Sequence, residues 1–247
     1  MKGREVRMRI PRLFLDRELR EGLRLQLEGE RHHYLAHVLR LRPGAELRLF
    51  DGRRGEWRAV VHEIRRRRAV LEVGEQLREL VAESGPTLYF APPRRIRLEW
   101  LIEKAVELGV GRLAPVLTRR SVARPANLQR LRAIAVEAAE QCGRLSLPEI
   151  APLCPLPERL AEDAPQRVLF ADTRKPRGDA LSWLEREPDC ALLVGPEGGF
   201  TDEERAALYG RPEIRPVTLG PFILRCETAA LYLLACWRAV REKRHDR

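Results

Sequence analysis

LVGPEGGFTDEE, residues 193–204, leaves an apolar segment, passes three glycines and a proline, and enters an acidic stretch with the pattern of a helix start. The segment that feeds it, CALLV at 190–194, has the length and apolar content of a buried strand. Strand, glycine loop and helix in that order form the repeating unit of an α/β sheet, and such sheets take ligands just outside the carboxyl ends of their strands. Glycines let backbone N–H and C=O groups approach a ligand closely. A phosphate would suit the positive end of the following helix, yet Asp202, Glu203 and Glu204 would repel one. Thr201 with Glu204 three residues on has the spacing of a capping box, which fills the helix start with the chain's own oxygens. The loop matches neither G-x-x-x-x-G-K-[ST] nor G-x-G-x-x-G. It is expected to hold a ligand through backbone groups, and that ligand need not be phosphorylated.

The rhythm of strand then helix extends on both sides of this loop, from residue 86 onward. TLYFA (87–91) leads to RLEWLIEKAVELG (97–109), and RLAPVL (112–117) leads to NLQRLRAIAVEAAEQCG (127–143). Further apolar strands are expected at 167–171 and 214–219. In the first helix Leu98, Leu101, Ile102, Ala105 and Val106 share a face, with Gly109 as the stop. In the second, Leu131, Ile134, Ala135, Ala138, Ala139 and Cys142 do the same between Asn127 as N-cap and Gly143 as stop. This alternation predicts an α/β domain with a largely parallel sheet. The last helix, about 227–241, is apolar around most of its circumference, through residues such as Ala229, Leu231, Leu234, Trp237 and Val240. Periodicity leaves two readings open, a central core helix and a homodimer interface.

The N-terminal part has a different period. LRLQL (23–27), AELRLF (45–50), GEWRAVVHEI (55–64) and AVLEV (69–73) alternate with period two, and Pro43-Gly44, Asp51-Gly52 and the arginine run 65–68 mark reversals. Short strands of a small β-barrel are expected over 1–74, interrupted by one helix at about 30–40, with a linker at 75–85 and the α/β domain over 75–247. No internal repeat is present.

Of 247 residues, 46 are Lys or Arg and 36 are Asp or Glu, a formal net charge of +10. That balance favours a polyanionic partner such as nucleic acid. Five cysteines, at 142, 154, 190, 226 and 236, form no C-x-x-C pair, so neither a zinc site nor a disulfide framework is signalled, and buried reduced thiols are expected. No apolar run has the span of a bilayer, and no signal-peptide core is visible. A soluble cytoplasmic protein with no membrane partner is the expectation.

Some twenty residues after the first loop comes a second, LGPFILRCETAALYLLA at 219–235. GPEGGFTDEE followed by LGPFILRCETAAL resembles the RsmE family of SPOUT methyltransferases, which methylate N3 of one uridine in bacterial 16S ribosomal RNA. IEKAVELGV (102–110), TRRSV (118–122), AVEAAEQCGR (135–144) and RHHYLAHVLRLRPGAELRLFDG (31–52) extend the resemblance over nearly the whole chain. It implies a PUA-like β-barrel followed by an α/β domain with a deep trefoil knot, a homodimer, and S-adenosyl-L-methionine held in the knot. Topology rules alone would reject a knot. The substrate implied is 16S ribosomal RNA within the small ribosomal subunit.

Carried over residue by residue, the implied cofactor loops are Ala171, Asp172 and Thr173; Val194, Gly195, Pro196, Glu197, Gly198 and Gly199; and Leu219, Gly220, Ile223, Leu224 and Arg225. Backbone groups would hold adenine and ribose while Leu219, Ile223 and Leu224 pack around the ring. The family usually reads LGPRILRTET, so Phe222 stands where an arginine is expected and Cys226 where a threonine is. MRIPRLF at 8–14 resembles the family's usual beginning, which makes residues 1–7 an extension.

Arg225 and Glu197 are the expected catalytic residues: a guanidinium to grip an RNA phosphate or polarise the base, and a loop carboxylate able to receive a hydrogen bond or face the sulfonium. Cys226 offers a nucleophile, but methyl transfer to nitrogen needs no covalent intermediate, so a buried thiol is the reading adopted. His33 and His37 share a helix face without the Glu of H-E-x-x-H or a third ligand, so no metal is expected. Arg12, His33, Arg94, Arg95, Arg119, Arg120, Gln141 and Arg144 form the expected RNA-binding set. The reading from another class is an RNA-binding protein without catalysis, which would not bind the cofactor.

Overall fold

The computed structural model describes residues 10–81, 85–121, 127–174 and 176–245. The extension expected at 1–7 lies outside them. The chain forms two compact units, one running through residue 82 and taking in 139–146, the other made of 83–138 and 147–247.

The first unit contains β1 (Arg12–Phe14), β2 (Arg24–Glu28), α1 (Gly29–His33), β3 (Glu46–Phe50), β4 (Gly55–Ile64) and β5 (Arg68–Glu79), with a π-helical turn at Tyr34–Val38 continuing α1. Its five strands form one sheet in the order β1-β3-β4-β5-β2. Every pairing is antiparallel except β1 with β3, which is parallel. Alternation works as the sequence predicts: Leu25 and Leu27 of β2 and Leu47 and Leu49 of β3 point into a core with Trp57, Ala59, Leu71 and Val73, while the other residues of β2 face solvent and Phe50 at the end of β3 is buried as well. β4 carries several register shifts against β5, which bend the long hairpin. β5 runs on through Glu79, so the linker expected at 75–85 is strand over its first residues. Residues 75–79 are exposed and, apart from Leu77, polar, and it is pairing with β4 rather than burial that extends them.

Glu56 in β4 is fully buried, and Arg12, Arg48 and Arg78 all direct guanidinium nitrogens to it, at 2.6, 3.4 and 2.9 Å. Burial pushes its carboxyl up, and the hydrogen bonds from Arg78 and Arg12 outweigh that and hold it below the usual glutamate range. Arg12 also donates to the carbonyls of Ala139, Glu140 and Arg144 and lies 4.6 Å above the Phe50 ring.

The second unit contains β6 (Thr87–Phe90), α2 (Arg95–Glu107), β7 (Arg112–Leu117), α3 (Leu128–Cys142), β8 (Glu149–Ile150), β9 (Cys154–Pro155), α4 (Leu156–Asp163), β10 (Val168–Ala171), α5 (Ala180–Arg186), β11 (Ala191–Val194), α6 (Asp202–Tyr209), β12 (Ile214–Val217) and α7 (Cys226–His245). The end of α3 belongs to the first unit. The sheet order is β12-β10-β11-β6-β7-β8, with β9 also on β7, and every pairing is parallel. The predicted faces of α2 hold, with Leu98, Leu101, Ile102, Ala105 and Val106 buried and Gly109 at a positive φ of 87° ending the helix. Asn127 caps α3 by accepting from the backbone N–H of Gln129 and Arg130.

Helix α7 buries Ala229, Ala230, Leu233, Leu234, Trp237 and Val240, and it packs on α2, α5, β6 and β11. The core-helix reading thus accounts for most of its apolar residues, leaving Tyr232, Ala235 and Ala239 outward. The expectation of five buried thiols is corrected: Cys190 and Cys226 are buried, Cys154 and Cys236 half-buried, and Cys142 exposed. Cys142 shares the apolar face of α3 in sequence but stands in its last turn, where that face has run out of cover.

Candidate functional site

Because β12, β10 and β11 are adjacent and parallel, the loops that follow them leave the sheet along one edge. There they enclose a cleft of about 300 Å3, at the lower end of the roughly 300–1,000 Å3 of small-molecule sites. Every residue expected in the cofactor loops lines it except Arg225. Sequence reading missed Arg174, Phe200, Arg205 and Ala229, which also line it, and placed Arg120, Phe222 and Cys226 elsewhere. The spacing of Phe200 and Arg205 behind the glycines was the available signal, Phe200 ending the loop and Arg205 standing on the first turns of α6.

Gly195 is needed for a reason different from the one its motif suggests. A Cβ there would lie 2.3 Å from the ring of Phe200, so the glycine makes room for the chain's own aromatic. Phe200 is buried and meets Phe170 of β10 edge-on at 5.1 Å. Gly199 sits at φ 66°, a conformation that lets the chain reverse before α6. The capping box is present in both directions, Thr201 accepting from the Glu204 N–H and Glu204 from the Thr201 N–H. The other oxygen of Glu204 accepts from the backbone N–H of Arg119 at 2.7 Å, and Arg120 donates to the Gly198 carbonyl at 2.9 Å. The segment after β7 is thereby fastened to the glycine loop.

Beneath the cleft, Asp172 is buried and accepts from both Arg205 and the Tyr209 hydroxyl. Burial first, and then the Asp172 carboxylate, push the Tyr209 hydroxyl above its usual range. Asp172 therefore spends its carboxylate on the fold and presents backbone to the cleft. Cys226 is buried and donates to the Ala91 carbonyl at 3.2 Å. Burial, followed by the charges of Glu197 and Glu227, raises its thiol far above the ordinary range. A thiol kept protonated is not a nucleophile.

Glu197 is exposed at the mouth of the cleft. Its Oε1 lies 3.8 Å from Nη1 of Arg97 on the first turn of α2, and Nε of Arg97 lies 3.5 Å from Oε1 of Glu227 on the first turn of α7. The Glu227 side chain is 8% exposed, and its second oxygen is buried with no hydrogen-bond partner among the described residues. Arg225 is exposed, and its guanidinium makes no ion pair among the described residues.

The expected RNA set divides. Arg94, Arg95, Arg119, Arg120, His33 and Gln141 are exposed, with Arg95 reaching Glu99 and the His33 ring 4.9 Å from that of His37. The Arg12 side chain, 7% exposed, is held in the Glu56 cluster, and Arg144 is buried with its Nε on the Ser146 hydroxyl. Both are positioned as structural residues of the first unit. His32 is buried too, one ring nitrogen within 2.8 Å of the Arg65 carbonyl. Among the described residues no group of three His, Cys, Asp or Glu is arranged to hold a metal, and no helix is long and apolar enough to cross a membrane.

A larger hollow, about 450 Å3, opens at the amino ends of the strands beside Gly85, Arg112, Cys190 and Trp237. Several of its polar groups are already paired, Tyr89 and Arg112 with Asp163 and the Trp237 indole N–H with the Pro188 carbonyl. Its place at the amino ends of the strands makes it the weaker ligand site.

Residues 83–238 match the model of an RNA methyltransferase domain, and residues 27–74 match that of an RNA methyltransferase PUA domain. The ribosomal RNA small subunit methyltransferase E of Rickettsia conorii is 31% identical over 92% of this chain and 95% of its own. That of Synechocystis is 34% identical, covering 85% of this chain and 71% of its own. Among solved structures, the same enzyme of Neisseria gonorrhoeae bound to S-adenosyl methionine superposes with a TM-score of 0.82 at 29% identity, over 94% of this chain and 98% of that one. A Legionella pneumophila protein solved with the same cofactor gives 0.81 at 28% identity, over 94% and 98% of the two chains.

Proposed function

The chain belongs to the ribosomal RNA small subunit methyltransferase E family, and from that premise we propose that it methylates N3 of one uridine in 16S ribosomal RNA, using S-adenosyl-L-methionine held in the cleft at the ends of β10, β11 and β12. The observation that carries this reading is the coincidence of the two glycine motifs with a single cleft at the carboxyl edge of a parallel sheet.

The residues present suit the cofactor. Gly220, at φ 111°, has open space where a Cβ would stand, and Leu219, Ile223 and Leu224 supply an apolar wall beside backbone N–H and C=O groups. Glu197 gives the mouth of the cleft a negative group, which suits a cation. When bound, the cofactor supplies a methyl group on a sulfonium, open to attack by nitrogen.

The chain's own work is then to present the base and manage its charge. N3 must give up its proton to water, which leaves negative charge on the base, and the carbon–sulfur bond would break to release a neutral thioether as the new C–N bond forms. Arg225, with its guanidinium unspent, is placed to stabilise that charge from the loop beside the cleft. Exposed Arg94, Arg95, Arg119, Arg120, His33 and Gln141 would position phosphates and bases. Arg12 and Arg144 are left out of the RNA surface because their guanidinium groups are buried in the first unit.

The same reading includes the finer architecture. β11, late in the chain, inserts between β10 and β6 while β12 goes to the far side of β10, an order that supports the knotted α/β domain over 75–247 after a PUA-like barrel over 1–74. Exposed Ile96, Trp100 and Tyr232 on α2 and α7 support a homodimer. The site of action is the cytoplasm, on the small ribosomal subunit.

The test is to incubate the protein with labelled cofactor and small subunits that lack the modification, then digest the RNA and identify the labelled nucleoside by mass spectrometry. One N3-methyluridine in the 16S RNA is expected. A label on another base, or none above a no-enzyme control, would overturn the reading.

A further inference from the structure

Arg97 stands between two carboxylates and is bound tightly to neither. Its nitrogens lie 3.8 Å from Glu197 on the glycine loop and 3.5 Å from Glu227 at the start of α7, both longer than a good charge-assisted hydrogen bond. Glu227 is the unusual partner. It is almost wholly buried, and one oxygen has no partner among the described residues, a costly state for an ionised group. One guanidinium is thus shared by two anions, and the better-buried anion is left half satisfied.

The two carboxylates belong to the two sides of the site. Glu197 lines the cofactor cleft. Glu227 is two residues beyond Arg225, at the helix start that carries the loop proposed to meet the RNA. Whatever changes the claim of Glu197 on Arg97 changes what Arg97 can give Glu227. The reaction itself makes such a change, because the cofactor arrives with a positive sulfonium and leaves as a neutral thioether.

We infer that Arg97 is a positioning residue that couples the charge state of the bound cofactor to the RNA-binding loop. A cation in the cleft draws on Glu197 and frees Arg97 to close on Glu227, which fixes the start of α7 and the adjoining Arg225 for RNA. After transfer the neutral product releases Glu197, Arg97 is shared again, and the RNA loop relaxes. The chain would hold RNA more tightly before methylation than after it. This rests on the reading that the cleft binds S-adenosyl-L-methionine.

The experiment measures affinity for unmodified small subunits in the presence of saturating sinefungin, whose ammonium group replaces the methyl sulfonium, or saturating S-adenosylhomocysteine. Calorimetry first gives the affinity of each for the protein. Wild type should bind the subunits about fivefold or more tightly with the cationic analogue, within the usual span of coupling between sites. Arg97→Gln should bring that ratio close to one while both small molecules still bind, and Arg97→Lys should retain most of it. A ratio of one in wild type, an undiminished ratio in Arg97→Gln, or loss of the ratio in Arg97→Lys would each overturn the inference alone. Failure of both small molecules to bind wild type would overturn the cofactor reading, and the inference with it.

Discussion

Glu56 in the first unit and Arg97 in the second each face more than one group of opposite charge, and they end in opposite states. Glu56 is fully buried and saturated, with Arg12 at 2.6 Å and Arg78 at 2.9 Å, and Arg12 finishes its donor set on three backbone carbonyls. Arg97 is part exposed, its contacts are loose, and its buried partner Glu227 keeps an unpaired oxygen. The same two residue types make a fixed joint in one place and an adjustable one in the other. A completed network rigidifies, whereas an incomplete one is where a fold keeps freedom for a ligand to use.

The largest effect should come from breaking the completed network. Glu56→Ala leaves the Arg12 guanidinium buried without its carboxylate and should cost about 3–5 kcal/mol, read as a lower denaturant midpoint for the first unit. Glu56→Gln sharpens the point through pH. The folded carboxyl is held below its unfolded value, so its contribution is present above the ordinary glutamate range and is lost as pH falls through the folded value. The stability gap between wild type and Glu56→Gln should therefore narrow on acidification. A gap independent of pH would mean that the ionised form is not what the arginines hold.

Removing the unspent guanidinium beside the cleft should act on rate instead of stability. Arg225→Ala is expected to lower methyl transfer by about 10²–10³-fold, the usual loss for one donor that stabilises developing charge. Cofactor affinity by calorimetry and the thermal midpoint should stay near wild type. Transfer at the wild-type rate would move the role to Glu197 or Glu227.

Gly195 lies between these extremes, since its substitution touches both packing and ligand. The added Cβ of Gly195→Ala would meet the Phe200 ring at 2.3 Å. Overpacking of this kind costs about 1–3 kcal/mol, and the displaced loop should weaken cofactor binding. Combining it with Phe200→Leu should recover part of the stability. If the double variant were as unstable as the sum of the singles, the aromatic would not be the cause. The smallest effect expected is that of Thr201→Ala, which removes half the capping box and should cost about 1 kcal/mol with little change in cofactor affinity.

The same contrast explains what could be read in advance. The capping box, the buried face of α2 and the loop residues around the cleft were legible because each is set by local spacing or by a contiguous motif. The parallel pairing of β1 with β3, the burial of Arg12 and the use of Gly195 to admit Phe200 were not, because each depends on groups distant in sequence or on a packing contact that no periodicity encodes. Net charge pointed to nucleic acid correctly for the family but could not tell exposed Arg119 from buried Arg144, both read as RNA-facing. Arg97 went unnoticed for the opposite reason: it is one arginine among several at a helix start, and only the approach of Glu197 and Glu227 from other elements marks it.

Whether the cofactor lies in the glycine-loop cleft is decided by amide hydrogen exchange with and without S-adenosyl-L-methionine. Protection is predicted at 171–173, 195–199 and 219–225, with residues near Gly85 and Cys190 unchanged. Protection around Gly85, Arg112 and Cys190 with none in the glycine loops would contradict it.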